Sequence, residues 1–162
     1  MLTGAEYNSA GGTGLFAGQS YGATDTLVKY TYYGDTDFNG KVNFDDYVRT
    51  DNGFNNHLTG WLNGDFDLNG IVNFDDYVLI DLAFNTQSGT LGRALSFLGG
   101  SDPGSDGMNN PALREVQDHF AQFGDGYARS FLAAVPEPTG LAFAGAAASV
   151  AMLKRRRRRR DH

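Results

Sequence analysis

Apolar positions recur at helical spacing in two blocks of this chain. Phe44, Tyr47, Val48 and Phe54 mark the first block, and Phe74, Tyr77, Val78 and Leu82 the second. Spacing of three and four residues predicts two helices, each with one buried stripe. A short isolated helix is marginal in water, so the two are expected to pack stripe to stripe, with Trp61 and Leu62 of the connection as cover. Upstream, residues 26–33 (TLVKYTYY) are β-branched and aromatic, which predicts a strand with no visible partner before it. Residues 1–25 are rich in Gly, Ser, Ala and Thr, with residues 11–14 the most flexible stretch. Downstream, residues 91–98 predict a short helix and residues 99–107 a polar loop. Asn110 and Pro111 supply an N-cap and a first helical position. Leu113, Val116, Phe120 and Phe123 continue that helix, Gly124 stops it, and residues 127–135 suggest one more.

The two blocks are copies. Residues 34–48 read GDTDFNGKVNFDDYV and residues 64–78 read GDFDLNGIVNFDDYV, with 12 of 15 positions identical at an offset of 30. Self-similarity at a fixed period means duplicated supersecondary units. Counted from Asp35, oxygen-bearing residues fall at positions 1, 3, 5, 9 and 12: Asp35, Asp37, Asn39, Asn43 and Asp46. The second copy places Asp65, Asp67, Asn69, Asn73 and Asp76 there. A calcium ion takes about 6–8 oxygens at about 2.3–2.6 Å, and a loop of this length supplies them from alternate side chains and the carbonyl at position 7, here that of Lys41 or Ile71. Gly40 and Gly70 at position 6 allow the sharp turn. Val42 and Val72 at position 8 suit a short backbone pairing between the loops. Three clustered anions repel one another without an ion, so folding is expected to be coupled to two calcium ions.

These residues resemble the type I dockerin, a module of two calcium loops that each lead into one helix, over about residues 34–86. Asp rather than Glu at position 12 (Asp46, Asp76) and Asn at position 9 (Asn43, Asn73) match that family, as does the absence of a helix before Asp35. The resemblance implies a mainly α fold: a dockerin-like pair of EF-hand-type calcium loop–helix units, with a short N-terminal β segment. It also implies a cohesin-like protein partner, with Phe44, Asp45, Phe74 and Asp75 at the contact positions. Phe44 and Phe74 suit a core position equally well.

The C-terminal end has its own pattern. Pro136, Glu137 and Pro138 precede a mostly apolar stretch, residues 139–153, and then a run of seven basic residues, 154–160. Fifteen residues form a helix of about 22 Å, short for a bilayer core of about 30 Å. A temporary anchor with its basic end held in the cytoplasm fits better than a permanent one. The pattern resembles the PEP-CTERM sorting signal, which implies processing by an exosortase, transient membrane insertion through residues 139–153, and delivery to the cell surface or outside the cell. No signal peptide is visible at the N-terminus, so the chain is expected to be the C-terminal part of a larger exported bacterial protein. The expected organisation is 1–33, the end of an upstream β-rich region or a linker; 34–90, the calcium module; 91–134, a helical extension; and 135–160, the sorting signal with a C-terminal hydrophobic helix.

Charge sharpens this picture. Seven of the 13 Lys and Arg lie in the basic run, leaving six bases against 18 acids in the body before it. Such a body attracts divalent cations and repels nucleic acid, so no nucleic-acid partner is expected. There is no Cys, which excludes disulfides and thiolate metal sites. His57, His119 and His162 show no metal-ligand spacing. Asp45 beside Asp46, and Asp75 beside Asp76, resemble a glycosidase carboxylate pair, but one member of each is committed to the loop. The chain is therefore expected to be non-catalytic, a calcium-binding docking or structural module. The alternative is the accessory end of an extracellular polysaccharide-degrading enzyme whose catalytic domain lies elsewhere.

Overall fold

The computed structural model describes residues 1–102 and 108–135. Two strands and a short helix open the chain: β1 (Leu2–Thr3), α1 (Gly4–Ser9) and β2 (Leu15–Phe16). They are followed by β3 (Gln19–Ser20), β4 (Thr26–Leu27), α2 (Phe44–Asn56) and a 3-10 turn at Trp61–Asn63. Then come α3 (Phe74–Ser88), α4 (Leu91–Leu98), α5 (Pro111–Phe123) and α6 (Asp125–Ala134). The molecule is mainly helical with small two-stranded pairings, β1 with β4 and β2 with β3.

The N-terminal segment departs from the expectation of flexible residues before an unpaired strand. Leu2 pairs with Leu27 and Thr3 with Thr26, antiparallel. Thr3 also caps α1, with Glu6 reaching back to close the capping box. The predicted strand over 26–33 shrinks to its first two residues. Val28 and Tyr30 face solvent, and strand propensity reflects packing on a half-buried surface that they do not have.

Helices α2 and α3 begin alike because their first turns are the same sequence. Asn43 accepts from the Asp45 N–H at 2.8 Å and Asn73 from the Asp75 N–H at 2.7 Å. Asp46 and Asp76 accept in return from the cap N–H groups, each at 2.9 Å. Each helix thus starts in a reciprocal cap that satisfies donors no helical carbonyl can reach. Helix α5 starts at the Asn110 cap with Pro111 first and ends at Gly124, which has φ +69°.

The two units pack about a local two-fold relation. Tyr47 Oη donates to Asp81 and Tyr77 Oη donates to Asp51, both at 2.6 Å. Gly34 sits against Ile80 and Gly64 against Thr50, the same pair of positions exchanged. Among the described helices, α4, α5 and α6 cover the layer from the side of α3. Helix α3 lies against α4, α5 and α6, and its Val78, Ile80 and Ala83 join Leu113, Val116 and Phe131 in the core. Only part of the expected stripe-to-stripe packing therefore forms, since Phe44 and Val48 of α2 point to solvent.

Val42 and Val72 are buried, but no strand pairing joins them among the described residues. The Val42 N–H donates instead to Gln87 Oε1 of α3 at 3.2 Å, and Val72 packs on Gly53 of α2. The loops are held by each other's helices. No helix among the described residues is long and apolar enough to cross a membrane. The hydrophobic helix and the sorting motif at Pro136, Glu137 and Pro138 lie outside the described residues.

Candidate metal sites

Each loop is wound by its own side chains. Asp35 Oδ2 accepts from the Gly40 N–H at 2.9 Å and from the Thr31 hydroxyl. Asp37 Oδ1 accepts from the Asn39 N–H at 3.0 Å, and Asn39 Oδ1 from the Lys41 N–H at 2.9 Å. The second loop repeats the sequence of bonds: Gly70 to Asp65 at 3.2 Å, Asn69 to Asp67 at 3.0 Å, and Ile71 to Asn69 at 2.9 Å. Gly40 and Gly70 take φ near +90°, as expected at position 6. Position 4 is also left-handed, with φ +63° at Phe38 and +59° at Leu68, a conformation that side chains other than Gly rarely adopt. Its appearance in both copies marks it as a property of the loop.

This winding brings Asp35, Asp37 and Asp46 together, and likewise Asp65, Asp67 and Asp76, with one oxygen from each residue within 4.8 Å of the others. The position-1 and position-12 residues of both loops are buried. Oδ1 of Asp35 and Oδ1 of Asp65 are buried without any hydrogen-bond donor. An unpaired buried carboxylate oxygen is costly, and here it occurs twice at the same position of a repeat. In each case the sister oxygen, Oδ2, holds the loop by accepting from the position-6 N–H. Two such triads can hold metal ions, and their all-oxygen donor sets fit a hard cation.

The electrostatics agree. Burial raises the Asp35 carboxyl above its ordinary range, and the neighbouring Asp37 adds to the rise. Burial likewise raises Asp46, again with Asp37 adding. Asp76 is pushed up to about 6, by burial first and by the charge of Asp67 as well. Buried, crowded carboxyls retain protons unless a cation replaces them.

The other expected ligands lie in the same two loops. Asn43 and Asn73 direct their side-chain oxygens to helix N–H groups as caps. Asn39 and Asn69 are exposed, as are the side chains of Lys41 and Ile71. Among the expected contact residues, Phe44, Asp45 and Asp75 are exposed while Phe74 is half-buried, its ring 6.3 Å from that of Phe123.

Two residues at the sites, Arg49 and Thr31, escaped the sequence reading, and Trp61 does more than expected. Arg49 Nη1 lies 3.5 Å from Asp37 and 3.8 Å from Asp46, across the first triad. Leu79 holds that position in the second copy, a difference visible once the repeats are aligned. Thr31 reaches Asp35 from the segment read as strand. Trp61 was expected as cover, but its indole N–H also donates to the Asp35 carbonyl at 2.7 Å.

Comparisons of the chain with protein-family models, curated proteins and solved structures return no match.

Proposed function

We propose that this chain is a non-catalytic calcium-binding module whose two loops each take one ion, and that the ions stabilise the helical layer as a docking element of an exported bacterial protein. The observation that carries the reading is that Asp35 and Asp65 each bury one oxygen without a donor and each belong to a cluster of three carboxylates. Asp35, Asp37 and Asp46 hold the first ion, and Asp65, Asp67 and Asp76 the second. Asn39, Asn69 and the carbonyls of Lys41 and Ile71 complete the oxygen sets, with Asn43 and Asn73 acting as caps. Calcium suits these sets better than a softer transition metal, because they contain neither thiolate nor imidazole.

The dockerin-like repeat supports a protein partner of cohesin type. The resemblance of residues 136–160 to a PEP-CTERM signal supports exosortase processing and a place at the cell surface or beyond. Retention of the product in the cytoplasm, with those residues intact, would count against that location.

Calcium titration of the full chain by calorimetry tests the central claim. Two ions are expected to bind, and Asp35→Ala and Asp65→Ala are each expected to remove one. An absence of binding heat, or two ions still bound by either variant, would end the reading.

A further inference from the structure

The internal repeat extends beyond the loops into the helices. Phe44, Val48, Asp51 and Asn55 of α2 match Phe74, Val78, Asp81 and Asn85 of α3, residue for residue at the offset of 30. On α3 all four are engaged by α5 and α6. Phe74 lies against Phe123, and Val78 is only 2% exposed. Asp81 takes Nδ1 of His119 and the hydroxyl of Tyr127, both at 2.6 Å. Asn85 donates to the Ala112 carbonyl in the first turn of α5 at 3.0 Å.

On α2 the same four residues are exposed, with Phe44 at 74% and Val48 at 48%. Among the described residues, the chain thus displays one surface twice and covers it once. The open copy is continuous with the covered one. Tyr77, whose hydroxyl donates to Asp51, has its ring 4.4 Å from His119 of α5.

The flanking residues differ in a consistent direction. Leu79 and Leu82 on α3 are replaced by Arg49 and Asn52 on α2, whereas Ile80 and Thr50 are buried against the opposite loop. An apolar centre with a polar surround is the anatomy of an interface that forms and separates, whereas the all-apolar version suits permanent burial.

We propose that the stripe Phe44, Val48, Asp51 and Asn55 is a docking site for an amphipathic helical hairpin of a partner protein. The hairpin presents an aromatic ring to Phe44, an imidazole or phenol donor to Asp51, and a carbonyl at a helix start to Asn55. The occupant is inferred from the covered twin, where α5 and α6 supply each of these groups. This extends the docking part of the function proposed above and needs only that α2 be formed.

A synthetic peptide of residues 108–135, which carries α5 and α6, is the probe. It is titrated into the full chain at about 1 mM calcium, after the calcium heat has been recorded, so that the two readings fail separately. The chain's own hairpin holds α3 at an effective concentration of order mM or more, so the added peptide is expected on α2. One peptide should bind per chain, with amide shifts confined to α2. Phe44→Ala and Val48→Asp should each weaken binding about tenfold or more, and Val28→Asp, at an equally exposed apolar position away from the stripe, should leave it unchanged. The proposal is overturned if no peptide binds, if it binds equally to Val48→Asp, or if the shifts fall on α3. It is also overturned if the chain sediments as a dimer that Val48→Asp dissociates, because the occupant is then a second copy.

Discussion

Arg49 makes the two loops unequal. Its guanidinium spans Asp37 and Asp46 and also donates to Thr36 Oγ1 at 3.1 Å, so the first triad already has part of a counter-charge. An ion entering the first loop must share those carboxylates with Arg49, and one entering the second meets Leu79 instead. The second loop is therefore expected to fill first. Replacing Arg49 by Leu should tighten calcium in the first loop by about tenfold, or ~1.4 kcal/mol. Calorimetry on an Asp65→Ala background isolates that loop, and unchanged or weaker binding would refute the assignment. A second prediction concerns His119, which is almost fully buried. Burial alone favours its neutral form, but the hydrogen bond and charge of Asp81 outweigh that, with Glu115 and Asp51 adding, so its pKa lies above the ordinary value. A raised histidine stabilises the fold fully below its unfolded pKa of about 6.5 and loses that contribution as pH rises through the folded value. Urea denaturation at constant calcium should show stability falling as pH rises above about 6.5. The same slope in His119→Gln would show that another group is responsible.

At the scale of elements, Gly34 and Gly64 connect the loops to the helices. Both have positive φ. A Cβ at Gly34 would lie 2.5 Å from Ile80 Cγ1, and one at Gly64 2.8 Å from the Thr50 backbone. Gly34→Ala and Gly64→Ala are each expected to destabilise the calcium-loaded protein by about 2–4 kcal/mol, combining left-handed strain with overpacking. A change below about 0.5 kcal/mol in chemical denaturation, the size of an ordinary surface substitution, would show that the loop does not press on the opposite helix. The same elements indicate what a sequence can reveal. The start of α5 was legible because a cap is a local device, here Asn110 and Pro111, whereas the caps of α2 and α3, Asn43 and Asn73, were read as ligands. The convergence of Asp35 with Asp37 and Asp46, and of Asp65 with Asp67 and Asp76, was legible because a duplication displays the spacing twice. The pairing of Leu2–Thr3 with Thr26–Leu27 was not, since two-residue strands leave no periodicity. Nor was the solvent-facing direction of Phe44 and Val48: their spacing matches that of Phe74 and Val78, and only the docking of α5 and α6 onto α3 separates the two faces.

For the molecule as a whole, both loops and the helical layer meet at Trp61, the only tryptophan. Its indole N–H holds the Asp35 carbonyl, and its ring lies 5.3 Å from Phe66 in the second loop and 6.3 Å from Phe38 in the first. Loss of either ion should therefore alter the surroundings of the same side chain. With dissociation constants near ~10⁻⁵ M and free calcium near ~1 mM, each site contributes roughly 2.7 kcal/mol. Two sites together should shift the melting temperature of a domain of this size by about 15 °C. Chelation is expected to lower the midpoint by that order, with tryptophan emission and helical ellipticity falling together, because the loops that carry the ions also bear on Ile80 and Thr50 inside the layer. Asp35→Ala and Asp65→Ala should each give part of the shift, and each should perturb the emission. Were the ellipticity to survive chelation while the emission changed, the ions would order the loops alone, and the helices would owe their stability to α5 and α6. A midpoint indifferent to chelator would show that protons rather than a cation offset the burial of the Asp35 and Asp65 carboxyls.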